Sequence, residues 1–290
     1  MSEAPYPSAA PVDRGSALDR IFGTARPLIG DIHCPPMPGT PRYRGETMDS
    51  IVGRAVADAI AYRDGGMDGV LVENHGDIPF LQPQEIGPEI IAAMSVVARA
   101  VREAVDLPLG INLLANDAIG ALAIAKASGA RFIRVNQWVN AYVSNEGLIQ
   151  GESARALRFR KQIDATEVAI FADVHVKHGA HAIVGDRSVA EQARDVEFYD
   201  ADVAIATGNR TGDAVPEAEI AAIREGTRLP IIAGSGLTAG NSRHLLSLLD
   251  GAIVGSSLKR DGVWWNPVET VRVRALVEEK RKLENSWSRP

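Results

Sequence analysis

A chain of 290 residues, 46% hydrophobic and 23% charged, has enough apolar material for one large or two ordinary cores and is not of the disordered class. Its net charge of −6, with no Lys/Arg block interleaved with aromatics, speaks against a nucleic-acid partner, and no apolar run has the length that crosses a bilayer as a transmembrane segment. A single cysteine, Cys34, excludes an internal disulfide framework, and the start lacks the basic and apolar regions of a signal peptide, so the expected location is cytoplasmic.

The first residues, "MSEAPYPSAAPVDRG", are rich in Pro, Ala and Ser, and residues 1–24 are expected to form a flexible tail before a single domain over 25–290. Short apolar runs then alternate with amphipathic segments. The runs are "PLIGDIHC" from Pro27, "GVLVEN" from Gly69, "PLGINLL" from Pro108, "FIRVN" from Phe132, "VAIFADVHV" from Val168, "DVAIAT" from Asp202, "PIIAGSG" from Pro230 and "GAIVGSS" from Gly251. Between them, segments such as "MDSIVGRAVADAIAYRDGG", "NDAIGALAIAKASGA" and "NSRHLLSLLD" carry helical periodicity, several opened by Asp, Asn or Ser and several closed by Gly. Eight strands alternating with helices predict an α/β fold, a single (β/α)8 TIM barrel, in preference to a doubly wound open sheet, which usually has fewer strands.

In such a barrel, polar residues at the carboxyl ends of the strands face the mouth where enzymes keep their sites. Asp31 and His33 share one face of the first run, Glu73, Asn74 and His75 come at the end of the second, Asn112 lies in the third, and Arg134 and Asn136 end the fourth. In "ADVHVKH", Asp173, His175 and Lys177 recur at every second position, which in a strand puts all three on one face. Thr207 ends the sixth run and Asn209 follows it. Burying unpaired charge is costly, so polar groups converging from six strands identify a site. Asp31, His33, Glu73, Asp173, His175 and Lys177 are its expected catalytic residues; Asn74, Asn112, Arg134, Asn136, Thr207 and Asn209 are its expected substrate contacts. His178 and His181 fall beyond the strand in a loop, and Cys34, on the opposite face from His33, is expected to pack.

The last two runs end in small residues. "GSGLTAGN" and "GAIVGSSLKRDG" place Gly234, Ser235, Gly236, Gly255 and Ser256 where this fold holds phosphate on backbone amides, although the glycines also suit tight turns alone. Two chemistries stay open. Asp31, His33, Glu73, Asp173 and His175 are donors of the type that holds a divalent metal ion. Without metal, His175 or Asp173 would move a proton while Lys177 holds an anion or forms a Schiff base. The proline-stiffened "HCPPMPGTPRY" brings Arg42 and Tyr43 to the rim, and Trp264 and Trp265 are expected in packing or in a homo-oligomer contact.

Taken together, "IGDIHCPPMPGTPRY", "GGMDGVLVENHGDIPF", "INLLAND", "GARFIRVN", "ADVHVKH", "ATGNRTG", "GSGLTAG" and "DGAIVGSSLKRDG" resemble the BtpA family from about residue 27 to Val268. The resemblance implies a barrel of the ribulose-phosphate-binding type. The family's name comes from photosystem I biogenesis in cyanobacteria, whereas other members sit among bacterial sugar-metabolism genes. Two function classes follow: an enzyme acting on a small phosphorylated carbohydrate or nucleoside-like compound by lyase, isomerase or hydrolase chemistry, or an assembly or stabilising factor. The chain departs from the family pattern at Ala115, where members commonly carry Arg, and in the loop "QWVNAYVSNEG" from Gln137. Mouth loops select substrate.

Overall fold

The computed structural model describes residues 16–24, 26–208 and 210–287. Its strands are β1 (Leu28–His33), β2 (Gly69–Glu73), β3 (Leu109–Asn112), β4 (Phe132–Val135), β5 (Ala141–Ser144), β6 (Gly147–Gln150), β7 (Ala169–Asp173), β8 (Val203–Ala206), β9 (Ile231–Ala233) and β10 (Ala252–Val254). The helices are α1 (Ala17–Phe22), α2 (Met48–Gly65), α3 (Pro88–Ala104), α4 (Ala118–Ser128), α5 (Ser153–Gln162), α6 (Val189–Phe198), α7 (Glu217–Gly226), α8 (Ser242–Leu248) and α9 (Thr270–Trp287). Eight strands close into a parallel barrel in the order β1-β10-β9-β8-β7-β4-β3-β2, while β5 and β6 form a separate antiparallel hairpin. This is the (β/α)8 barrel expected from the alternation of runs.

Period-two alternation sorts each strand. Ile29, Leu71, Phe132, Phe171, Ile205, Ile232 and Ile253 fill the barrel interior, whereas Leu28, Ile32, Val70, Val72, Ile111 and Ile133 pack outward with the helices. Two residues further along the inward stripe come Asp31, Glu73, Arg134, Asp173, Thr207, Gly234 and Gly255. One stripe therefore changes from apolar plug to polar floor toward the carboxyl ends. The helices start and stop as their sequences dictate: the side chains of Thr47, Asp117 and Ser188 accept from the amides of Ser50, Gly120 and Glu191, and Gly66 and Gly129 close α2 and α4 at φ of 93° and 80°.

Three features differ from the sequence expectation. The tail does not run to residue 24: Ala17–Phe22 is a helix whose Leu18 and Ile21 join the interior cluster, with Phe22 edge-on to Phe132 and Phe171 at 5.6 and 6.4 Å. Apolar residues at i, i+3 and i+4 give α1 one face that seals the amino end of the barrel. Residues 1–15 lie outside the described residues. The loop after the fourth strand is the β5–β6 hairpin, held at its base by Asn116, whose Nδ2 donates to the carbonyls of Gln137 and Gln150 at 3.1 and 3.2 Å. Finally, the fifth barrel strand stops at Asp173, and the chain bends over residues 174–179 until Ala180 pairs with Val143 of the hairpin.

Past β10, the chain is tied down by a buried ion pair. Lys259 Nζ lies 3.2 Å from Asp58 on α2, and Asp58 also accepts from the Val268 amide at 2.9 Å. This clasp closes the segment that carries Trp264. No helix among the described residues is long and apolar enough to cross a membrane.

Candidate functional site

A cavity of about 390 Å³ opens at the carboxyl end of the barrel, between the polar floor and the β5–β6 hairpin. One wall is a carboxylate–imidazole cluster. Asp31 and His33 reach it from β1, Glu73 from β2, and His75 from the turn that follows. His33 Nε2 is 3.2 Å from Asp31 Oδ2 and 3.9 Å from Glu73 Oε1; His75 Nδ1 is 2.7 Å from the same Glu73 oxygen. Asn112 Nδ2 donates to the other Glu73 oxygen at 2.6 Å, which fixes the carboxylate plane. The rings of His33 and His75 stack at 4.6 Å, and Trp264 stands edge-on to His75 at 4.5 Å. Burial alone would raise the Glu73 carboxyl, but the His75 hydrogen bond, the neighbouring His75 and His33 imidazoles and the Arg134 charge hold it well below the usual carboxylate range.

The floor is an ion pair. Arg134 donates through Nε and Nη2 to Asp173 at 3.1 and 3.0 Å, with side chains 2% and 0% exposed, and through Nη1 to the Gly234 carbonyl at 3.3 Å. Asn136 Nδ2 is 3.5 Å from Asp173. Asp173 thus sits beneath the cavity and orients Arg134, which does line it. Lys177 also lines it and makes no ion pair or hydrogen bond with another described residue. Burial, then the nearby Arg134 charge, brings the Lys177 ammonium down to about 8, against the opposing pull of Glu73, Asp173 and Asp31.

The third wall is the pair of glycine-bearing turns. Gly234, Ser235, Gly236, Gly255 and Ser256 all line the cavity. Ser235 is 8% exposed and its hydroxyl has no partner, and the Ser235, Gly236 and Leu237 amides donate to no acceptor among the described residues. Successive free amides around a left-handed glycine (Gly236, φ 77°) form an anion-binding concavity. A Cβ at Gly236 would run into the Asp213 carbonyl oxygen, so this position is required by the turn itself. Asn241 staples the same turn, donating to the Gly236 carbonyl at 2.9 Å and accepting from the Thr238 amide at 2.8 Å.

Several expected contacts do not reach the cavity. His175 does not share a face with Asp173 and Lys177, because the strand ends at Asp173 and the bend carries its ring to a second, smaller hollow, 3.2 Å from Glu219 and 3.9 Å from the His181 ring. Of the five expected metal ligands, Asp31, Asp173 and His175 are absent from the potential ligand cluster, which His75 joins with His33 and Glu73. Asn74 clamps the Leu114 backbone, accepting from its amide at 2.7 Å and donating to its carbonyl at 3.1 Å. Asn112 serves Glu73, and the Thr207 hydroxyl donates to the His175 carbonyl at 3.1 Å. Asn209 lies outside the described residues. Cys34 is fully buried, and burial pushes its thiol well up, in keeping with packing.

Other residues complete the walls. Tyr142, from the hairpin, lines the cavity and packs with Ile149 and Val176. Phe80 and Trp264 supply flat apolar surface, whereas Trp265 is 61% exposed. His75 was legible as a polar residue at the end of the second run, though not as a ligand; Trp264 had no signal beyond its aromaticity.

Comparison with known proteins agrees with this architecture. A family model described as the BtpA family matches residues 24–282. An uncharacterised protein of Archaeoglobus fulgidus is 40% identical over 250 residues, covering 86% of this chain and 96% of its own. The photosystem I biogenesis protein BtpA of Synechocystis is 37% identical over 265 residues and covers 90% of each chain. Among solved structures, tryptophan synthase of Mycobacterium tuberculosis matches with a TM-score of 0.59 at 15% identity, covering 91% of this chain and 96% of the other, a likeness of fold alone.

Proposed function

The chain belongs to the BtpA family, and we propose that it is an enzyme acting on a small phosphorylated carbohydrate or nucleoside-like compound held at the carboxyl end of the barrel. One observation carries this reading: the free amides of residues 235–237, with the unpartnered Ser235 hydroxyl, face the carboxylate–imidazole cluster and Lys177 across a single cavity. Its volume suits a ligand of that size. Phosphate sits against residues 234–237 and 255–257 with the Arg134 guanidinium behind Gly234, Trp264 and Phe80 border the ring, and the reacting carbon lies toward Lys177. An amine near pH 8 is a mixture of both forms at neutral pH, which fits proton transfer or carbonyl attack in a lyase, isomerase or hydrolase reaction. Asp173 holds Arg134 and takes no direct part.

Calorimetry with inorganic phosphate and ribose 5-phosphate tests the anion end. Ser256→Asp places a carboxylate in the cradle and should weaken both by at least about tenfold at an unchanged melting temperature. Failure of the unaltered protein to bind either anion at millimolar concentration would overturn the reading. The name of the Synechocystis relative favours a second reading, an assembly or stabilising factor. Phosphorylated compounds that bind at this cavity but are not turned over would favour that alternative.

A further inference from the structure

We infer that His33, Glu73 and His75 form a binding site for a divalent transition-metal ion of the zinc class, with a coordination position open to the cavity. One ligand atom from each of His33, Glu73 and His75 lies within 4.8 Å of the other two, and His33 Nε2 and His75 Nδ1 both approach Glu73 Oε1. Ligand bonds of about 2.0–2.2 Å place tetrahedral donors roughly 3.4 Å apart. The present separations of 2.7 Å and 3.9 Å from the shared Glu73 oxygen straddle that spacing, so small side-chain shifts seat an ion.

The hydrogen bonds around His33 point the same way. Its Nδ1 is 3.1 Å from the Trp264 carbonyl, which can only accept, so Nδ1 carries the hydrogen. In the neutral ring, Nε2 then presents a lone pair, and it does so toward Asp31 Oδ2 at 3.2 Å and Glu73 Oε1 at 3.9 Å. A lone pair facing two carboxylates calls for a cation among them. A backbone carbonyl on the far nitrogen is also the partner that orients metal-binding imidazoles, and ligating carboxylates are themselves held by hydrogen bonds, as Asn112 holds Glu73.

Independent of the triad, Asp31 Oδ1 is buried without a partner among the described residues, leaving one further oxygen beside the site. Gly255 keeps the approach to His33 clear, since a Cβ there would stand 3.0 Å from Nε2. A ligand on the glycine turns therefore reaches the open position directly. Two imidazoles with a carboxylate select a zinc-like ion over Mg²⁺ or Ca²⁺, which prefer all-oxygen shells.

The test uses the full chain, stripped with chelator and dialysed, and titrated with Co²⁺ or Zn²⁺ alone by visible absorption and calorimetry. One equivalent should bind, undisturbed by excess Mg²⁺. Glu73→Gln and His75→Ala should each weaken it at least about 100-fold, at or beyond what losing an outer partner costs, while His175→Ala, in the separate hollow, should not change it. Circular dichroism confirms that the variants fold. No stoichiometric binding by the unaltered protein would overturn the inference. Undiminished binding in both site variants, or an equal loss in His175→Ala, would overturn it too. No phosphorylated compound enters the experiment, so its failure leaves the proposed substrate class standing, and the reverse holds.

Discussion

Replacing Lys177 by Met removes an ammonium that the fold holds at a cost. The group drops from its ordinary 10.5 to about 8, chiefly through burial. At about 1.4 kcal/mol per pH unit, that difference corresponds to a destabilisation of the protonated folded state of about 3–4 kcal/mol, an upper bound because the side chain is not fully buried. The direction with pH follows from proton counting. Below pH 8 both folded and unfolded chains are protonated and the whole penalty is present. Between 8 and 10.5 the unfolded chain binds more protons, so stability rises with pH; above 10.5 the penalty is gone. Lys177→Met should therefore be more stable than the unaltered protein at pH 7, by up to about 3–4 kcal/mol, with the charge-dependent part of this difference vanishing by pH 10.5. Urea unfolding at pH 7, 9 and 10.5 measures it. A variant less stable at pH 7, or a difference that does not change with pH, would refute the argument that Lys177 is held for function against the interest of the fold.

If Lys177 reacts as the free amine, kcat/KM should rise through pH about 8, and a flat profile from pH 6 to 9 would argue against it. Asp173→Ala strands the buried Arg134 guanidinium and should cost about 3–5 kcal/mol in chemical denaturation; a change near zero would mean that Arg134 had found another carboxylate. His175→Ala breaks a pair with Glu219 whose side chains are 32% and 17% exposed, so stability should fall by less than about 1 kcal/mol, with phosphate titration unaltered. Loss of phosphate binding in that variant would return His175 to the reaction site.

Fold and floor were legible because they rest on local pattern. Alternation with period two in "PLIGDIHC", "GVLVEN" and "FIRVN" assigns Asp31, His33, Glu73 and Arg134 to the inward face whatever the neighbouring strands do, and glycine after the last two strands marks the turns that line the cavity. Alternation says nothing about where a strand stops. Asp173, His175 and Lys177 look equivalent in one dimension, but pairing of Ala180 with Val143 bends the chain after Asp173, so the three side chains separate into floor, second hollow and cavity wall. His75 and Trp264 meet His33 from segments far apart in the chain, the latter carried there by a loop that the Lys259–Asp58 ion pair closes. The sequence by itself determined the barrel and the polar ends of its strands, since side-chain direction within a strand is a property of the backbone. Which of those groups share one cavity was decided only by tertiary structure, because loop paths depend on contacts between residues distant in the chain.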